Sequence, residues 1–260
     1  MVLKMWKKKN KKKYQYGLAL SGGGTRGFAH LGVLKALEEH DIRPDIISGV
    51  SAGAIVGVLY ADGNKPEDIL EFLAQNKLFH FLRFSIPRQG LVQMSGFERT
   101  LKEMLKTKNI EDLGIPVRIF AVNVNTAEYT CFEKGDIVSV VKASSSMPIV
   151  FPPVEIDGDC YLDGGIINNF PAEPMVDDCE TLIGVNVNPL NETRELGNLL
   201  KIAERTFHIS IRSHTRGQKE KCHIFIEPPG LDKHSLLDTS KAKEVFDLGY
   251  KETKKVLESM

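Results

Sequence analysis

The sequence predicts an α/β protein, a three-layer α/β/α arrangement with a mostly parallel central sheet and a serine displayed on a strand-to-helix turn. Three observations carry that expectation. β-rich runs alternate with helical patterns along the chain. A glycine cluster follows the first run, and a G-x-S-x-G follows the second. The 260 residues, 42% of them hydrophobic, are enough to bury one sizeable core.

The first element is the apolar run Gly17-Leu18-Ala19-Leu20-Ser21, a strand. Gly22-Gly23-Gly24-Thr25-Arg26-Gly27 follows, and then a helix whose apolar positions 28, 31, 33, 34 and 37 share one face. Glycines between a strand and a helix start leave backbone N–H groups in a concave nest that attracts negative charge. That charge is either a phosphate or the oxyanion of a tetrahedral intermediate. Gly22, Gly24 and Gly27 also fit the dinucleotide fingerprint, which wants an acid about 20 residues on, at the end of the second strand. Asp45 precedes Ile46-Ile47 and so opens that strand, which favours the oxyanion reading. No G-K-[S/T] follows the glycines, which excludes a Walker-type phosphate loop.

The second element is Ile46-Ile47-Ser48-Gly49-Val50-Ser51-Ala52-Gly53-Ala54, a short buried strand running through G-x-S-x-G into an apolar helix. A serine on such an elbow projects from the sheet edge as a candidate nucleophile. Gly49 and Gly53 remove the Cβ atoms that would collide as the chain doubles back. A third segment holds Asp163, followed by Gly164 and Gly165. Asp-Gly is commonly a turn. Near Ser51 the same carboxylate could serve as general base.

The remaining chain supplies the scaffold. Residues 117–123, 128–133, 182–187 and 223–226 read as strands, and 136–144 as a helix toward the site. Residues 196–216 and 239–257 read as helices, the latter amphipathic with Thr239 or Ser240 as N-cap. Residues 14–260 are expected to form one catalytic domain, with a cap-like insertion at 65–108. That insertion holds Phe81 and Phe84 in an apolar run suited to a fatty acyl chain or to packing on the core.

Residues 1–13 form a basic arm, with six lysines between Lys7 and Lys13. The arm reads either as a solubilising tail or as a foothold on anionic lipid, each lysine contributing about 1 kcal/mol near the surface. No apolar h-region follows it, so the sequence reads as a retained, cytoplasmic chain. A net charge of zero argues against a nucleic-acid partner. Cys131, Cys160, Cys179 and Cys222 form no C-x-x-C pair and read as reduced thiols. No cluster of metal-ligating residues appears, so no metal or cofactor is expected.

The three glycine motifs, in this order and spacing, resemble the patatin-like phospholipase family, and the chain looks like a bacterial-type single-domain member. Ala29-His30-Leu31-Gly32-Val33-Leu34 resembles the family's first helix. Ala143-Ser144-Ser145-Ser146-Met147-Pro148 resembles the stretch before its aspartate, and Asn168-Asn169-Phe170-Pro171 the one after. The resemblance implies a Ser51–Asp163 dyad without histidine, acting on lipid or other carboxylic esters. It places the oxyanion on loop amides at Gly23 and Gly24, within the loop Gly22, Gly23, Gly24, Arg26 and Gly27. Gly49, Gly53, Gly164 and Gly165 support the motifs. Arg26 matches a basic position whose role stays open between electrostatic support and structural pairing.

Three alternatives accompany that reading. An acyltransferase could use the same acyl-enzyme. A phosphate- or nucleotide-binding regulator could use the glycine loop without chemistry. A Ser–His–Asp hydrolase would need one of His208, His214, His223 or His234, none of which stands in a recognisable catalytic loop. His30 lies inside the first helix and reads as packed.

Overall fold

A computed structural model describes residues 11–75, 95–148, 151–189, 217–236 and 238–260, together with isolated positions between 202 and 215. Outside these lie residues 1–10 of the basic arm, Phe81 and Phe84 of the insertion, His208 and His214, and most of the expected 196–216 helix.

The chain runs through β1 (Tyr14–Leu20), α1 (Phe28–Glu39), β2 (Ile46–Gly49) and α2 (Ala52–Ala61), then α3 (Pro66–Gln75) and α4 (Ser95–Met104). It continues through β3 (Val117–Asn123), β4 (Glu128–Phe132), α5 (Ile137–Ser144), β5 (Val154–Ile156), β6 (Asp159–Asp163), β7 (Cys179–Val185), β8 (Ile224–Ile226) and α6 (Ala242–Glu258). The sheet order is β5-β6-β3-β2-β1-β7-β8, with β4 also paired to β3. Strands β8, β7, β1, β2 and β3 are mutually parallel, whereas β4, β5 and β6 attach by antiparallel pairs. The fold is therefore the expected mixed α/β type with an antiparallel edge.

Alternation along the strands sorts the core. Leu18, Leu20, Ile47, Ile119, Ile183 and Val185 belong to the large cluster shared with the helices, α1 and α6 among them. Ala19, Ile46 and Leu182 belong to a second cluster, packing on Phe170, Ala172 and Met175. Gln218 ties down that second cluster: its Oε1 accepts from the Ala172 and Glu173 amides at 2.9 Å each.

Several boundaries differ from expectation, each for a local reason. Asp136 is the N-cap of α5 and accepts from the Ser139 amide at 2.8 Å, so the helix opens at Ile137. Neither Thr239 nor Ser240 caps α6: Lys241 stands at its N-cap without a side-chain bond, and Asp238 caps the residues just before it by accepting from the Ser240 amide at 3.0 Å. A 3-10 turn, Thr239–Lys241, then leads into α6. The β5–β6 hairpin has no counterpart among the expected strands. Asp157 (φ 52°) and Gly158 (φ 87°) form its two-residue turn, the positive-φ pair that matches strand twist. No described helix is long and apolar enough to cross a membrane.

Candidate active site

Sheet register brings three distant segments to one level. Leu20 pairs with Gly49, and Gly49 with Ile119. Ala121 pairs with Asp163. Gly22, Ser51 and Asp163 thus each lie two residues beyond the Leu20–Gly49–Ile119 row. They gather at the carboxyl end of the parallel strands, where open α/β sheets place their ligands.

Ser51 sits at φ 52°, ψ −119°, a positive-φ backbone that non-glycine residues rarely adopt. The elbow closes so tightly that a Cβ on Gly49 would come within 2.7 Å of the Ala54 nitrogen, and one on Gly53 within 2.3 Å of the Leu20 carbonyl. The turn hands Ser51 to the N-terminus of α2, whose macrodipole favours negative charge at the serine. Its amide donates to Ser144 Oγ at 2.9 Å.

Asp163 ends β6 and is 5% exposed. Burial lifts its pKa from 3.8 to about 6, against two restraining hydrogen bonds, from the Gly165 amide and from the Ser51 side chain. The Gly165 amide reaches Oδ1 at 2.8 Å. The carboxylate is thus tuned toward neutral pH, the range a general base needs. Gly164 lies against the Phe120 carbonyl, where a Cβ would approach to 2.6 Å.

The glycine loop divides its amides. Gly22 donates to the Asn169 carbonyl at 3.0 Å, Thr25 to the Leu236 carbonyl at 2.9 Å and Arg26 to the Gly23 carbonyl at 3.1 Å. The Gly23 and Gly24 amides have no acceptor among the described residues. Gly22 stands against Ser51: a Cβ at that position would lie only 3.2 Å from the serine Cβ. Gly27 packs on Ala52 in the same way at 2.7 Å. Of the five loop positions expected around an oxyanion, Gly22 and Arg26 have their amides engaged within the fold, while those of Gly23 and Gly24 meet no acceptor among the described residues.

The Arg26 side chain is buried and committed to a different part of the chain. Its Nε donates to the His234 carbonyl at 2.9 Å and its Nη2 reaches the Asp232 carbonyl at 3.5 Å. Thr25 Oγ1 donates to the Ser235 carbonyl at 2.6 Å. These bonds pin the glycine loop to residues 232–236, which is structural pairing, one of the two roles that the sequence leaves open for Arg26.

The described histidines have other partners. His30 is fully buried, and its Nε2 bonds the Ser21 carbonyl at 2.8 Å. Burial lowers its pKa to about 4, against that bond, so the ring is neutral. His223 Nδ1 accepts from the Leu182 amide at 2.9 Å. His234 Nε2 faces Glu244 at 3.7 Å. Burial raises the thiols of Cys131 and Cys179 to about 11 and that of Cys222 to about 12. No group of metal-ligating side chains occurs among the described residues.

Sequence reasoning assigns no role to three residues that hold the site together. Asn169 clasps Gly22 twice, through its carbonyl and through Nδ2 to the Gly22 carbonyl at 3.3 Å. Asn188 Nδ2 donates to the same carbonyl at 2.5 Å. Ser144, the partner of the Ser51 amide, is the third. The Asn168-Asn169 and Ser144-Ser145-Ser146 runs are visible signals, but a run of identical residues does not say which member faces inward.

The patatin-like phospholipase family model matches residues 18–176, more than half of the chain, and the chain belongs to that family. It is 28% identical to the lysophospholipase NTE1 of Candida albicans over 90% of this chain and 19% of that protein. It is 26% identical to the human patatin-like phospholipase domain-containing protein 6, over 92% of this chain and 20% of that protein. The chain spans about a fifth of the length of these relatives. VipD from Legionella pneumophila shares the fold, with a TM-score of 0.57 at 16% identity over 95% of this chain and 67% of that one.

Proposed function

We propose that this protein is a serine acyl hydrolase that cleaves carboxylic esters of lipids through a Ser51–Asp163 dyad. Ser51 attacks the ester carbonyl while Asp163 accepts the serine proton. The oxyanion forms against the Gly23 and Gly24 amides, near the start of α2. The leaving alcohol takes the proton from Asp163, and an acyl-serine remains. Asp163 then draws a proton from water, which attacks the acyl carbonyl; the bond to Ser51 Oγ breaks, Oγ takes the proton back from Asp163, and the fatty acid leaves. A second acceptor alcohol in place of water would make the same acyl-enzyme an acyltransferase.

One observation carries the reading. A serine on a strained elbow interacts with a buried carboxyl whose pKa is raised to about 6. The family membership and the lysophospholipase relatives support lipid as the ester class. The test is labelling by a fluorophosphonate probe, followed by an ester panel graded by chain length and head group. Labelling that survives Ser51→Ala would refute the dyad.

A further inference from the structure

The amides of Ser51 and Asp163 end on one short turn. The Ser51 N–H donates to Ser144 Oγ at 2.9 Å, and Ser144 Oγ donates to the Phe120 carbonyl at 2.7 Å. The Asp163 N–H donates to the Ser146 carbonyl at 3.0 Å. The turn is itself closed: the Ser146 amide returns to the Ala143 carbonyl at 3.1 Å, and Ser146 Oγ donates to the Lys142 carbonyl at 2.8 Å. Ser144 and Ser146 are both fully buried.

We propose that residues 144–146 form a brace that sets the separation and aim of Ser51 and Asp163, with Ser144 as a positioning residue. The inference rests on the Ser51–Asp163 reading. Its physical basis is the elbow. A disfavoured backbone persists only where its surroundings over-determine it. Ser144 supplies one such restraint, a hydroxyl that holds the Ser51 peptide plane against β3. Removing the hydroxyl leaves the Ser51 amide without its partner inside the fold, and the peptide is then free to rotate. Rotation carries Oγ away from Asp163. Ser144 and Ser146 are fully buried and offer no surface to a bound ester, so substrate affinity is expected to be unaffected.

The experiment uses the full chain with Ser144→Ala and the isosteric pair Ser144→Thr and Ser144→Val. Thr keeps the hydroxyl and Val keeps only the shape. A misplacement near 1 Å can cost about a hundredfold in rate, so Ser144→Ala is expected to lower kcat by roughly 10- to 100-fold with KM within about twofold. Ser144→Thr should retain clearly more activity than Ser144→Val. The pH midpoint of fluorophosphonate labelling should move upward in Ser144→Ala, because Asp163 loses the Ser51 bond that holds its pKa down. Unchanged kcat in Ser144→Ala, equal losses in the Thr and Val variants, or an unmoved midpoint would each overturn the brace. If Ser144→Ala does not fold, the Thr–Val comparison decides. A wild-type protein that the probe does not label at Ser51 refutes the dyad itself. Ser51 labelling at a rate that Ser144→Ala leaves unchanged refutes the brace alone.

Discussion

Ser51 combines an elbow position with an unfavourable backbone. A non-glycine residue at φ 52°, ψ −119° is strained, and glycine relieves most of that strain. Ser51→Gly and Ser51→Ala both delete the hydroxyl, so their difference isolates the backbone term. Ser51→Gly is expected to be the more stable variant by about 1 kcal/mol in urea unfolding, after allowing for glycine's greater unfolded-state entropy. Asp163 gives the matching chemical expectation. As the proposed general base it must be ionised to accept a proton, so kcat/KM should fall as pH drops through about 6. Asp163→Asn should lose about 10²–10⁴-fold in kcat. Both positions stand out in the sequence because glycines flank them in fixed patterns. The Gly23 and Gly24 amides have no acceptor among the described residues. The loss of the Gly22 and Arg26 amides to other acceptors was not legible, since it depends on Asn169 and on the loop's own folding.

At the scale of elements, helices α1 and α6 meet backbone to backbone. A Cβ on Gly32 would fall 2.0 Å from the Phe246 carbonyl, and one on Gly249 2.1 Å from the Ala29 carbonyl. Neither contact can yield by moving a flexible side chain. Gly249→Ala is therefore expected to destabilise by about 1–3 kcal/mol, seen as a lower denaturation midpoint at unchanged m. The first helix was readable from its long apolar face, and the parallel strands, even the short β2 and β8, from their nearly continuous apolar runs. The β5–β6 hairpin was not, because strands of three and five residues with mixed burial carry little periodicity. The start of α6 differs from expectation for a related reason: Asp238, Thr239 and Ser240 are all competent caps, and the backbone path makes Asp238 the cap of the 3-10 turn while α6 starts from Lys241 without a side-chain cap.

For the whole molecule, the Asp163 environment links activity to stability with opposite signs. The folded-state pKa of about 6 exceeds the ordinary value of 3.8, so the native state holds that proton more tightly than the unfolded chain does. This contribution is fully present below about pH 4 and is lost as pH rises through about 6. Ionised Asp163 therefore costs on the order of 3 kcal/mol at neutral pH. Asp163→Asn should melt above the wild type at pH 8, with the gap closing toward pH 4, as differential scanning calorimetry would record. An equal gap at both pH values would show that the carboxyl is not the source. The overall α/β architecture was evident from alternating elements. The antiparallel edge that delivers Asp163 was hidden by its short strands.

The bonds from Thr25 and Arg26 to residues 234–236 give this protein a built-in order of maturation. Ser51 and Asp163 leave the ribosome well before the carbonyls that anchor Thr25 and Arg26. A nascent chain released between those two moments would carry both side chains with the Thr25–Arg26 end of the glycine loop unanchored. Fragments cut short ahead of position 232 thus lack the bonds that fix the Thr25–Arg26 end of the loop.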